Sequence, residues 1–240
     1  TICQTHAHFG VTSVLVTLIT DTPQVRNKAI NAAVEAIAEK IPGFAGLHLE
    51  GPHLCKARKG AHNPDLIRVM NESDLNALVA AKKQLPVLLT TIAAEAVTPE
   101  QVRTLVGAGI KISIGHCNAG IDKIMPLVDA GASMVTHLFN AMSQISSRQP
   151  AMVGTALSSP KLNASLIADG FHVHPALIKI ALAAKTAPGR IFLISDAMLS
   201  VGSNVDEFVL NNRRIKRENG KLSLDDGTLA GADLDLATAV

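Results

Sequence analysis

Seven short runs rich in apolar and β-branched residues recur along this 240-residue chain, and segments of helical periodicity separate them. The runs are Val14 to Thr20, Ala45 to Glu50, Val87 to Ala93, Lys111 to His116, Met134 to Leu138, Ala164 to Ala168 and Ile191 to Ser195. Pro23 to Glu39, Ser73 to Lys83, Pro99 to Gly107, Asp122 to Ala130 and Pro175 to Ala184 carry helical spacing, with Thr98 placed to cap a helix that begins on Pro99. Parallel neighbours in a sheet need a crossover, so this alternation predicts an α/β fold built from βαβ units. Several runs are apolar on nearly every residue, as in strands covered on both faces. The stretch between Met142 and Ala164 is less regular and is expected to hold a loop and a short helix.

Four of the runs end in a residue that can hold or work with a metal: Glu50 after Gly46-Leu47-His48-Leu49, His116 after Ile112-Ser113-Ile114-Gly115, His137 after Met134-Val135-Thr136, and Asp196 after Phe192-Leu193-Ile194-Ser195. A parallel barrel sends the carboxyl ends of its strands to one rim, where groups scattered in sequence can meet. A catalytic divalent metal takes about three protein ligands and leaves a position for water. Glu50, His116 and His137 could supply those ligands. Glu50 is the most telling, because an ionised carboxylate behind an apolar run is costly to bury unless positive charge meets it. His48 shares its face but lies deeper, beneath the site or in the core. Asp196 is placed either to move a proton near such a centre or to cap a helix.

The composition narrows the partner. A formal charge of +2, no basic stripe and no Trp or Tyr give no footing for nucleic acid or a membrane surface, which leaves a small molecule. Cys3, Cys55 and Cys117 lack CxxC spacing and leave an odd one over, so a reducing compartment, the cytoplasm, is expected. No stretch is apolar for long enough to span a bilayer. Thr1 to Gly10 reads as the last turns of a helix stopped by Gly10, and Leu234 to Val240 as a helix just begun, so a fragment cut at both ends is expected. Residues 1–240 read as one domain with a β-hairpin insertion at about 205–226, where Phe208 to Arg217 and Lys221 to Leu224 flank Glu218-Asn219-Gly220.

Other features are set aside. His6-Ala7-His8 lies on the helix tail and is not expected to bind metal. Gly107-Ala108-Gly109 follows a helix, the reverse of the order that cradles a pyrophosphate. His53 and His174 are assigned to the surface or to the layer behind the site, the Lys56, Arg58, Lys59 cluster is left outside it, and Cys117 is read as a thiol prone to oxidation.

Six motifs then occur in a telling order: Leu47-His48-Leu49-Glu50-Gly51-Pro52, Lys59-Gly60-Ala61-His62-Asn63-Pro64, Gly115-His116-Cys117-Asn118-Ala119, Thr136-His137-Leu138-Phe139-Asn140-Ala141-Met142, Ile167-Ala168-Asp169-Gly170-Phe171-His172 and Ser195-Asp196-Ala197. Gly227-Thr228-Leu229-Ala230-Gly231 adds a seventh. Together they resemble the N-acetylglucosamine-6-phosphate deacetylases of the amidohydrolase superfamily, over essentially the whole chain. The resemblance implies a (β/α)8 TIM-like barrel of the metal-dependent hydrolase type, here about seven strands, with the first strand and the small β-sandwich missing. It implies deacetylation of an N-acetylated amino-sugar phosphate by a metal-activated water, with Glu50, His116 and His137 as ligands of one or two divalent ions. Zinc, iron, cobalt and manganese suit such ligands. By resemblance Asp196 is the acid/base, and His172 helps to stabilise the oxyanion. Ala61, His62, Asn140, Ala141, Arg148, Asp169, His172, Leu229, Ala230 and Gly231 are implied to contact substrate, Arg148 across the interface of a homodimer or homotetramer. The galacto epimer, another amidohydrolase reaction and a non-catalytic sugar-phosphate binding protein remain as alternatives. The joint presence of Glu50, His116, His137 and Asp196 argues against the last.

Overall fold

The computed structural model describes residues 2–240. Thr1, the first residue of the opening helix reading, lies outside the described residues. Strands β1 (Val14–Ile19), β2 (Phe44–Glu50), β3 (Leu88–Ile92), β4 (Lys111–Ile114), β5 (Met134–Val135), β6 (Asn163–Leu166) and β7 (Ile191–Leu193) pair in sequence order into one parallel sheet. Helices α1 (Ile2–His8), α2 (Pro23–Ala38), α3 (Glu72–Lys82), α4 (Pro99–Gly107), α5 (Ile121–Asp129), α6 (Ala151–Ser158) and α7 (Pro175–Ala184) accompany it. The alternation expected from the sequence is present, and α6 is the short helix of the irregular stretch.

Local chemistry accounts for the helix starts. Thr22, Asn71 and Thr98 each accept a hydrogen bond from a backbone N–H of the first turn of α2, α3 and α4, and Gln101 returns the bond to Thr98 in a capping box. Leu88, Ile92, Ile112 and Ile114 from the sheet pack with Leu105, Ile124 and Leu127 from the helices, all essentially without exposure. Each such side chain contributes about 1.5–3 kcal/mol by leaving water.

The sheet curls. Neighbouring strands lie about 4.8 Å apart, so β2 and the end of β5 would stand roughly 14 Å apart in a flat sheet. Yet Glu50 Oε1 and His137 Nε2 meet at 3.1 Å. The seven strands therefore form a half-barrel whose carboxyl ends face a common centre, consistent with the TIM-like expectation.

Every strand but β2 ends one to three residues before its expected end, and beyond β4, β5 and β7 a left-handed residue follows. β4 ends at Ile114 and β5 at Val135 because His116 and His137 adopt left-handed backbone, φ 47° and 35°, and leave the ladder. The His137 N–H is taken instead by Ser165 Oγ at 2.8 Å. β7 ends at Leu193, before Asp196 turns out of the strand direction at φ 49°.

The insertion is a three-stranded antiparallel sheet, β8 (Glu207–Leu210), β9 (Arg213–Glu218) and β10 (Lys221–Leu224), rather than a single hairpin. Asn211 and Asn212, at φ 49° and 60°, form a tight turn within what read as one run, and Asn219-Gly220 forms the second turn as expected. Asn211 Nδ2 donates to the Thr20 carbonyl at 3.2 Å, and the Arg213 guanidinium to that of Ala61, which ties this sheet to the rim of the barrel. Near the end, Asp235 caps one turn through the Thr238 N–H, and no helix forms there. No helix among the described residues is long and apolar enough to cross a membrane.

Candidate active site

Glu50, His116 and His137 converge from β2, β4 and β5, all three buried. Glu50 Oε1 lies 3.1 Å from Nε2 of both histidines, and the two Nε2 atoms are 3.0 Å apart. The far side of each ring fixes its tautomer. His116 Nδ1 donates to the Arg58 carbonyl at 2.7 Å, and His137 Nδ1 to the Asn140 carbonyl at 3.2 Å. A carbonyl can only accept, so each neutral ring carries its proton on Nδ1 and turns a bare Nε2 lone pair inward. Two lone pairs and a carboxylate oxygen then face one another with no donor among them. Such a set fits a divalent cation, and its 3.0 to 3.1 Å edges approach the roughly 3.3 Å edge of a tetrahedron with about 2.0 Å bonds.

Without an ion, a proton takes its place. Burial alone would raise the Glu50 carboxyl, but a proton on Nε2 of His116 or His137 bonds to it and holds it well below the usual carboxylate range. Burial alone would lower His137, yet the Glu50 carboxylate raises it. Positive charge is drawn to the point where the three atoms meet.

A cleft of about 390 Å³ opens above this cluster. Asp196 lines it, and burial together with the Glu50 charge raises its carboxyl above the ordinary value, a direction that suits a group which takes up and returns a proton. His172 lines it too. Asp169 accepts the His172 Nδ1 proton at 2.6 Å and the backbone N–H groups of Phe171 and His172, so it orients the imidazole and leaves Nε2 free. Burial opposes ionisation of Asp169, and the bond from His172 outweighs it and lowers the pKa. Asp169 therefore acts through His172 and is not itself among the cleft-lining residues.

The remaining residues named from the sequence divide. Ala61, His62, Asn140, Ala141 and the Leu229 to Gly231 segment line the cleft. His62 is pushed down to about 3, by burial first and by His116 next, and stays neutral. Its Nδ1 accepts from the Thr20 N–H at 3.3 Å, so the proton resides on Nε2, 3.8 Å from Glu50 Oε2. Arg148 stands exposed on the loop before α6, outside the cleft. His48 lies beneath the site, bonded to Thr17 Oγ1 at 3.0 Å and Thr91 Oγ1 at 2.8 Å. His53 is buried among Arg68 and Asp74, and His174 caps α7.

Two expectations are corrected. Arg58 belongs to the site, because its carbonyl holds His116 and it lines the cleft. Cys117 is fully buried and its thiol is pushed up to about 12 by burial, so it is inert rather than prone to oxidation. Thr20, which fixes His62, was not singled out from the sequence; its position at the end of β1, on the same rim, was the available signal.

Comparison with known proteins finds similar chains of one kind. The chain is 43% identical to the N-acetylgalactosamine-6-phosphate deacetylase of Shewanella sp. (strain ANA-3), over 99% of its own length and 59% of that protein's. It superposes on N-acetylglucosamine-6-phosphate deacetylase from Pasteurella multocida with a TM-score of 0.92 at 31% identity, covering 98% of this chain and 61% of that one. By sequence and by fold, the chain is homologous to the amino-sugar phosphate deacetylases. A variant of the Mycobacterium smegmatis enzyme, solved in complex with N-acetyl-D-glucosamine-6-phosphate, matches with a TM-score of 0.89 at 30% identity, over 99% of this chain and 62% of that one. The chain thus spans about 60% of the length of these deacetylase homologues. No family model matches it.

Proposed function

We propose that the protein of which these residues form the barrel hydrolyses the acetamide of an N-acetylhexosamine 6-phosphate, releasing acetate and the free amino sugar. The observation that carries this reading is the set of three inward lone pairs on Glu50, His116 and His137 beneath a cleft lined by Asp196 and His172. Bound there, a divalent ion of zinc, iron, cobalt or manganese type supplies Lewis acidity toward the acetyl carbonyl and lowers the pKa of water beside it.

The chain's own residues do the rest. The Asp196 carboxylate accepts the proton of the attacking water and returns it to the departing sugar nitrogen. His172, held by Asp169 through its Nδ1 proton, meets the carbonyl oxygen as the imidazolium, whose second proton on Nε2 stabilises the developing negative charge. His62, with its proton on Nε2, donates to a sugar hydroxyl, while Asn140, Ala141 and the Leu229 to Gly231 segment shape the walls. Arg148 meets the phosphate from a second copy of the chain, which its exposed place outside the cleft favours and which makes the protein a homodimer or higher oligomer. Residues 1–240 are part of a single metal-dependent hydrolase domain carrying the β8–β10 sheet as an insertion, and the cytoplasm is its compartment.

The sequence motifs favour the gluco substrate. The 43% identity to a protein named for the galacto epimer favours the other reading. Acetate release by the full-length, metal-loaded protein from both epimers and from the unphosphorylated sugar tests all of this. Release from one or both phosphorylated sugars alone is expected, with the preferred epimer naming the substrate. No release from either contradicts the deacetylase reading.

A further inference from the structure

We infer that Asn118 is a positioning residue for the metal centre, acting through Arg58 on the orientation of His116. This rests on the proposed metal site and deepens it. His116 can present Nε2 to an ion only while its Nδ1 proton has an acceptor, and that acceptor is the Arg58 carbonyl at 2.7 Å. Arg58 closes a short 3₁₀ turn, Lys56–Arg58, whose Lys56 and Ala57 are exposed. The bonds inside the turn, from Arg58 N to the Cys55 carbonyl and from Lys59 N to that of Lys56, give it shape but do not hold it against β4.

Two bonds do. Cys55 N–H donates to the His116 carbonyl at 3.0 Å, and Arg58 Nε donates to Asn118 Oδ1 at 2.7 Å. Asn118 is itself anchored, its N–H donating to Glu95 Oε1 at 2.7 Å. It thereby knots the loops after β2, β3 and β4 around one imidazole. The knot matters because His116 sits at φ 47°, a backbone state that a residue with a side chain holds only when its surroundings impose it. On its other side Gly115 leaves no room to shift, since a Cβ there would lie 2.8 Å from Thr91 and 2.9 Å from Thr136.

The Arg58–Asn118 bond lies at the surface and adds little to global stability, so its contribution appears in the alignment of His116. Zinc titration of the metal-stripped full-length protein, followed by competition with a chromophoric chelator, reads that alignment without any substrate. Asn118→Ala and Arg58→Ala should each weaken zinc binding by about 10- to 100-fold, while the thermal midpoint of the metal-free protein stays near that of the wild type. The double variant should be no weaker than either single one, because both remove one bond. Asn118→Asp, which still accepts from Arg58, should bind nearly as the wild type does.

Alanine variants that keep the wild-type Kd would overturn the inference and leave the metal site standing. Losses that add in the double variant, or that track a fall in metal-free stability, would overturn it as well. A wild-type protein that binds no zinc would instead bring down the metal site itself, and this inference with it.

Discussion

Glu50 sets the chemistry of the cleft, since its buried negative charge attracts a cation and adds to burial in lifting the pKa of Asp196. The roles of these residues separate by variant. In Asp196→Asn metal content should stay at the wild-type level while turnover falls by about 10²- to 10⁴-fold, the usual contribution of a positioned proton carrier. Elemental analysis and a steady-state assay on one preparation would check this, and unchanged turnover would remove Asp196 from its role. His116→Ala should purify with little bound metal, and full occupancy in that variant would contradict the ligand assignment. Glu50, His116, His137 and Asp196 were legible because each carries its chemistry in its side chain and ends an apolar run. The Arg58 carbonyl was not, because every residue has one and nothing in a sequence marks which will face an imidazole. Asp169 was visible as a neighbour of His172, but only the 2.6 Å bond shows that it serves that ring.

Among the elements, β2 carries the most demanding local requirement. Gly46 adopts φ 150°, and a Cβ there would stand 2.2 Å from the Val87 carbonyl oxygen. That close approach follows a shift in register against β1, where Val14 pairs with Phe44 but Leu15 with Gly46. Gly46→Ala should therefore lower stability by roughly 2–4 kcal/mol and shift Glu50, which lies four residues further along the same strand. Calorimetry would show it, and an unchanged melting temperature would mean that β3 yields more easily than its burial suggests. The number and order of strands could be read from hydrophobic runs, since both faces of the sheet are covered. The ends of β4, β5 and β7 could not, because left-handed turns at His116, His137 and Asp196 override an apolar pattern that continues past them. The turn at Asn211-Asn212 was missed for another reason: alternation of residue types continues across it and hides it inside one run.

On the scale of the whole molecule, a buried neutral histidine makes the fold sensitive to acid. His53, 2% exposed, is pushed down to about 4 by burial, which outweighs the attraction of Asp74. Between its ordinary value and about 4 the unfolded chain binds a proton there that the folded chain does not, so stability falls as pH falls through that window. A displacement of that size corresponds to on the order of 3 kcal/mol. Asp74 is lowered despite its burial by the bond from Arg68, and it adds a second loss only below the ordinary carboxylate value. His53→Gln should flatten the fall in melting temperature between about pH 6 and pH 4, and an unchanged slope would assign the acid sensitivity elsewhere. The curl of the sheet, which brings β2 and β5 together, is what converts seven separate runs into one centre. Anomalous diffraction from crystals of the metal-loaded protein tests that centre most directly. The account predicts a peak within about 2.0–2.2 Å of a Glu50 carboxylate oxygen and of Nε2 of His116 and His137. A metal-loaded protein with no peak between those three atoms would contradict it.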